Sequence, residues 1–212
     1  AAESKYAEVL LNARALSVPI KMVSCQVQSI PDGSTSFQLS LVRAMSRINS
    51  VFVSFNWETP GPPGNNQVHN QAMTVFANPS DAEPNSGGHP NHTEFTMTGQ
   101  LTLGSKQVPE SPITSMGEFF DNLTQAIDVY DQSLRTVAIT PSQYALDSFI
   151  AGFNLAKVPG HYFSGLNSRS GDLLTLRFNN LIPGMLNIKV YIFVITSRRH
   201  PRNPRRGVSF YD

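Results

Sequence analysis

Cysteine, tryptophan and charge are all scarce in this chain. Its 212 residues include one cysteine and one tryptophan, and 15% of them are charged, against about 25% in typical soluble domains. One cysteine excludes an internal disulfide, so apolar packing must hold the core, which a chain of about 200 residues can supply. A net charge of +1 excludes a protein that binds polyanions over its whole surface. Few charges instead favour a surface that meets neighbouring subunits.

A long apolar run is also missing. No stretch reaches the about 18–20 residues of a membrane-spanning helix, and no signal peptide is recognisable at the N-terminus. The chain begins Ala-Ala-Glu without methionine, and we expect it to be the ordered part of a longer chain. The lone Cys25 lies in an alternating run with Val23 and Val27, which predicts a small buried apolar residue rather than a nucleophile.

The chain is rich in apolar side chains at alternate positions, the period of half-buried strands. Such runs cover 19–30, 36–42, 50–57, 95–103, 173–181 and 187–196, and further strands are expected within 68–76 and 144–158. Residues 187–196 are apolar on both faces, which predicts a central strand. Strands that do not alternate with helices exclude a parallel α/β sheet.

One amphipathic helix interrupts the strands. Ser115 and Glu118 have the spacing of a capping box, and apolar residues follow at helical spacing, namely Met116, Phe119, Phe120, Leu123 and Ile127. We expect this helix to pack its apolar side onto a sheet.

These elements predict an all-β fold, an eight-stranded jelly-roll sandwich with one inserted amphipathic helix and a long Pro/Gly/Asn loop. The predicted organisation is a connector helix over 1–18, a jelly-roll domain over 19–196 and a basic C-terminal arm over 197–212, with a short final strand within 207–212. Residues 58–93 contain six prolines and are expected to form an exposed excursion.

Three segments, in order, carry a family resemblance. They are SFQLSLVRAMSRINSVFVSF (36–55), FTMTGQLTLGSKQVPESPITSMGEFFDNLTQAI (95–127) and FIAGFNLAKVPGHYFSGLNSRSGDLLTLRFNNL (149–181). Together they resemble the C-terminal jelly roll of double jelly-roll major capsid proteins of DNA viruses, in the Polinton-like and virophage-like lineage. Those proteins carry two jelly rolls in tandem, and 212 residues accommodate one.

The resemblance implies a structural, non-enzymatic subunit of an icosahedral viral capsid. Its partners would be copies of itself, in a homotrimeric pseudo-hexameric capsomer, and neighbouring capsid proteins. It implies no cofactor and no small-molecule substrate. The expected location is the virion capsid, assembled inside the host cell.

Two other functions are open to a jelly roll. A cupin-type enzyme needs metal-binding histidines at alternate positions of a strand, whereas His89, His92 and Glu94 lie in a loop. A carbohydrate-binding module needs aromatic residues clustered at one loop face, and the loop-proximal candidates are Trp57, Tyr162 and Phe163.

A basic segment follows the last strand. It contains Arg198, Arg199, Arg202, Arg205 and Arg206, whose guanidinium groups would contact genome phosphates or an inner membrane through salt-dependent attraction. No aromatic residue is interleaved among them, which argues against stacking on bases. Within the Gly165–Asp172 turn, Arg169 and Asp172 are expected to form a turn-closing pair or a subunit contact.

Overall fold

The computed structural model describes residues 16–31, 33–41, 43–58, 97–127, 138–146, 148–156, 165–168, 172–181 and 187–202. In these ranges the elements are β1 Leu16–Ile30, β2 Ser36–Leu41, β3 Ile48–Glu58, β4 Thr98–Leu103, β5 Lys106–Ile113, α1 Met116–Ala126, α2 Pro141–Leu146, β6 Ile150–Asn154, β7 Leu174–Asn179 and β8 Asn187–Arg202.

The strands form two antiparallel sheets in the pattern of a rolled hairpin. The first sheet has the order β1-β8-β3-β6 and the second β2-β7-β4-β5. The pairs β1–β8, β2–β7, β3–β6 and β4–β5 are therefore nested, as though one long hairpin had been folded over on itself. This nesting is the jelly-roll topology, and the predicted all-β sandwich is confirmed.

Alternation along the strands places the core between the sheets. In β4 the inward side chains of Leu101 and Leu103 are buried, while Gln100 and Thr102 between them are half-buried. In β8 Val190, Ile192 and Val194 are buried in the same way. β8 lies between β1 and β3, so the prediction that this apolar segment is a central strand is confirmed.

Aromatic rings join the two sheets. Phe178 on β7 stacks on Phe37 with ring centroids 5.1 Å apart and meets Phe55 of the first sheet edge-on at 5.4 Å. Phe153 of β6 and Phe119 of α1 complete its surroundings at 6.2 and 6.4 Å. The same ring thus contacts both sheets and the helix.

The helix α1 begins at the predicted capping box. The Ser115 hydroxyl accepts a hydrogen bond from the Glu118 amide at 3.2 Å, and the Glu118 carboxylate accepts from the amides of Ser115 at 3.3 Å and Thr114 at 2.8 Å. The bond from Thr114, together with those from Ser115, holds the pKa of the Glu118 carboxyl below its usual value.

The apolar side of α1 packs against β6, as predicted. Phe119 and Leu123 are buried, and the half-buried Phe120 meets the Tyr144 ring at 5.0 Å. Gly152 of β6 allows the approach, because a Cβ atom there would lie 2.7 Å from the Leu123 Cα.

Three details of the sequence-based prediction were wrong. The proline-containing segment between the strand at 95–103 and α1, which the sequence pattern predicts to be a loop, is strand β5, which lies at a sheet edge where proline is tolerated. Tyr144 lies in a second helix, α2, and the strand expected from that residue begins at Ile150. Strand β1 begins at Leu16, inside the expected connector region. The rest of the connector helix and the excursion at 58–93, apart from Glu58 at the end of β3, lie outside the described residues.

Gly152→Ala is expected to destabilise the fold by about 1–3 kcal/mol, because the new methyl group overpacks the contact between β6 and α1. Chemical denaturation would measure the change. Gly117→Ala is the matched control, since a Cβ at Gly117 has no atom within 4 Å and alanine is favoured over glycine in helices. Equal stability of the two variants would contradict the close packing.

Glu118→Gln is expected to lower stability at pH 7 but not at pH 3. The folded-state pKa of Glu118 is depressed, so its contribution is present above the unfolded carboxyl's pKa, about 4.3, and is lost as pH falls through the folded value. Urea unfolding of variant and wild type at both pH values measures the difference. The exposed Glu110→Gln serves as control, and an unchanged difference at pH 3 would mean that the charge is not the cause.

Candidate assembly surfaces

The outer face of the second sheet is polar. It presents Ser36, Gln38, Ser40, Thr98, Gln100, Thr102, Thr175, Arg177 and Asn179. Neighbouring side chains bond to each other across strands: the hydroxyls of Ser40 and Thr175 lie 3.4 Å apart, and the Asn179 amide donates to Thr98 at 3.3 Å. Six of these nine residues are half-buried, and among the described residues the side-chain nitrogen of Gln100 is buried without a hydrogen-bond partner.

The outer face of the first sheet is apolar along β1 and β8. Val23, Cys25 and Val27 of β1 lie opposite Ile195, Phe193 and Tyr191 of β8. The β8 residues are half-buried, whereas Val23 and Val27 are 65% and 50% exposed. An apolar band of this kind marks a contact surface more often than a solvated one.

The prediction that Cys25 is buried was wrong. Its thiol is free and exposed, and Val23 and Val27 share its face. Alternation identified the two faces of β1 correctly, but the side with Cys25 faces away from the core, since Ile30 on the opposite side is buried. The signal that was missed is that β1 carries apolar residues on both faces.

The basic segment does not leave the sandwich at residue 197 as expected. Ser197 is buried, and its hydroxyl donates to the Asn49 side chain at 2.7 Å. Strand β8 continues to Arg202 and pairs with β1 throughout, with Arg198 opposite Ile20. Pairing with β3 ends at Thr196, so beyond that point β8 has one neighbouring strand, and Pro201 is tolerated there.

The structure describes the backbone of three of the five arginines. Arg198, Arg199 and Arg202 belong to β8, and the Arg198 side chain is exposed. Arg205 and Arg206 lie outside the described residues, as does the strand expected within 207–212.

The other candidate positions do not form a site in the described part of the chain. His89, His92, Glu94, Tyr162, Phe163 and Arg169 lie outside it, and Trp57 is in strand β3. Asp172 packs against Gly104, where φ is +58° and an added Cβ would lie 2.6 Å from the Asp172 carboxylate oxygen, so glycine is favoured there. Among the described residues, no three His, Cys, Asp or Glu side chains are grouped to hold a metal ion. Neither helix described here has the length and apolar character of a membrane span.

Comparison with known proteins identifies the fold. No family model and no curated protein matches the sequence. The Faustovirus major capsid protein superposes with a TM-score of 0.59 and 10% identity, over 94% of this chain and 36% of its own. A chain of the Sputnik virophage structure superposes with a TM-score of 0.48 and 13% identity, over 92% of this chain and 40% of its own.

This chain has the jelly-roll fold of a viral major capsid protein. The capsid jelly roll expected from the sequence motifs is therefore confirmed at the level of the fold. The chain spans little more than a third of the length of the Faustovirus protein.

Proposed function

We propose that this protein is a structural subunit of an icosahedral viral capsid and acts by self-assembly. The observation that carries the proposal is the superposition of 94% of the chain on a major capsid protein. Function in such a protein comes from buried interface area, about 1,200–2,000 Å² for a stable contact. The expected location is the virion capsid, with assembly inside the host cell.

The surface of the sandwich supports this role. Its two sheets differ in outer face, one polar and hydrogen-bonded, the other carrying exposed valines beside half-buried aromatic rings. This difference suits a subunit that stands between neighbours on one side and water on another. The partners would be copies of the chain in a homotrimeric pseudo-hexameric capsomer, and neighbouring capsid proteins.

A carbohydrate-binding module is less well supported. Sugar recognition needs aromatic rings grouped at a loop face, but Trp57 lies within β3. The polar outer face of the second sheet consists of hydroxyl, amide and guanidinium groups and offers no ring on which a sugar would stack.

Assembly of the purified chain tests the proposal. Mass photometry over a range of concentrations, followed by negative-stain microscopy, is expected to show capsomer-sized rings or closed shells. Monomers and dimers alone, at every protein and salt concentration, would contradict a shell subunit and would favour a carbohydrate-binding module instead.

The arginines of the basic segment are expected to contact anionic phosphate groups. Replacement of all five by glutamine should leave assembly unchanged and reduce the salt dependence of binding to duplex DNA, by a slope of about 0.9 for each phosphate that the variant no longer neutralises. Duplex DNA and anionic lipid vesicles, titrated separately, distinguish a genome from a membrane. Arg177→Gln, on the polar face, is the control. Failure of the quintuple variant to assemble would show that the segment is a subunit contact instead.

A further inference from the structure

In the part of the chain that the structure describes, four strands form the edges of the two sheets, and three of them are protected against pairing with another chain. Helix α1 packs along β6. Strand β5 carries Pro109 and Pro112 and has an irregular register with β4. Strand β2 is only six residues long. A covered edge, a proline-rich edge and a short edge are the devices by which soluble proteins prevent edge-to-edge association.

The fourth edge, β1, carries few of these devices. It is fifteen residues long and pairs with β8 in an unbroken register. It contains one charged residue, Lys21, and one proline, Pro19, near its start. In the described part of the chain no strand pairs with its other side. That side presents a row of backbone donors and acceptors.

Exposed apolar side chains lie on both faces of this strand. Ile20 and Met22 on the core-facing side are 44% and 45% exposed, while Val23 and Val27 on the outer side are 65% and 50% exposed. A partner stacked on one face would cover half of them. A strand added along the edge would cover apolar groups on both faces and satisfy the backbone as well.

We propose that β1 pairs antiparallel with β1 of a second copy, which joins two four-stranded sheets into one. A two-fold axis near Val23 and Ser24 places each face of the strand beside the same face of its copy. On the outer face Val23 then lies opposite Val23 or Cys25 of the copy, whereas on the core-facing side Ile20 and Met22 lie opposite glutamine or serine. In that register Lys21 lies opposite Cys25 or Val27 of the copy, and the single charge of the strand does not face its own counterpart.

The available area fits a pair of copies. At about 3.3 Å per residue the edge is ~50 Å long, and with a sheet layer ~10 Å thick each copy contributes ~500 Å². The total of ~1,000 Å² lies below the about 1,200–2,000 Å² of stable interfaces, in the range of weak, transient contacts. We therefore expect a dimer that dissociates on dilution.

This inference names the strand through which two copies meet. Its biological role rests on the proposed function as a shell subunit.

Substitution of Val23 by residues of opposite charge tests the pairing. Val23→Lys and Val23→Glu each place like charges at the axis and should weaken dimerisation at least tenfold in sedimentation equilibrium. An equimolar mixture of the two variants should restore dimers, because Lys then faces Glu. Gln38→Lys, at an exposed position of the edge strand β2, is the control and should dimerise like wild type.

Each outcome decides the proposal. Melting temperatures close to wild type would show that the Val23 variants are folded. Dimerisation of both variants at wild-type strength, or a wild-type chain that is monomeric throughout, overturns the pairing. Wild-type dimers that never grow into larger assemblies leave the pairing intact and contradict the shell role. Shells that form equally well from the charged variants would support the shell role and overturn the pairing.

Cross-linking gives an independent readout. Cys25 lies within two residues of the proposed axis and its thiol is exposed. A short bis-maleimide should therefore link wild-type chains into a covalent dimer, but not Cys25→Ser or Val23→Lys chains. Equal linking of Val23→Lys chains would show that the thiols meet only by random collision.

Discussion

The packing around Phe178 is the interaction on which the rest of this structure depends. Its ring contacts Phe37 of its own sheet, Phe55 and Phe153 of the opposite sheet, and Phe119 of the inserted helix. Two sheets that share no strand are held in register only by such side-chain contacts. Because aromatic rings prefer edge-to-face and offset arrangements, this cluster fixes the relative position of the sheets and helix α1 together.

The nested hairpin sets a second constraint. Strand β8, near the end of the described chain, pairs with β1 at its beginning and with β3. The first sheet is therefore incomplete until β8 has been added, and its long-range pairs carry a large cost in loop entropy. Before then β1 lacks its partner in this fold, and the same backbone groups are open to strands of other chains. The edge of β1 therefore carries an aggregation risk during folding.

The sequence was most predictive where local chemistry and tertiary packing agree. The Ser115–Glu118 capping box placed the start of α1, and two-residue alternation placed β2, β4 and β7. It failed where a position in the sheet overrides a local signal. Proline disfavours a strand, yet among the described residues the prolines of β5 and Pro201 of β8 each lie where their strand has one neighbouring strand.

The candidate surface was harder to predict than the fold. Alternation shows that Val23, Cys25 and Val27 share a face, but not whether that face meets the core or the outside. That choice depends on which strand of the opposing sheet lies beneath, a long-range property of the topology. The arginines were recognised as a cluster. The continuation of β8 to Arg202, however, depends on its pairing with the fifteen residues of β1, which are distant from β8 in sequence.

The scarcity of charged residues in the chain is visible on these two surfaces. Across the nine outward positions of β2, β4 and β7 Arg177 is the one charge, and along β1 Lys21 is the one charge, whereas the edge strand β5 carries Lys106 and Glu110. Charged faces resist burial because each ion must lose its water, whereas hydroxyl, amide and apolar faces lose little when a neighbour arrives. A free monomer with such faces gives up part of the solubility that charge provides. The same low charge lowers the desolvation cost of each contact in an assembly. The scarcity of charge and the exposed edge of β1 therefore both favour burial of this surface against a neighbour.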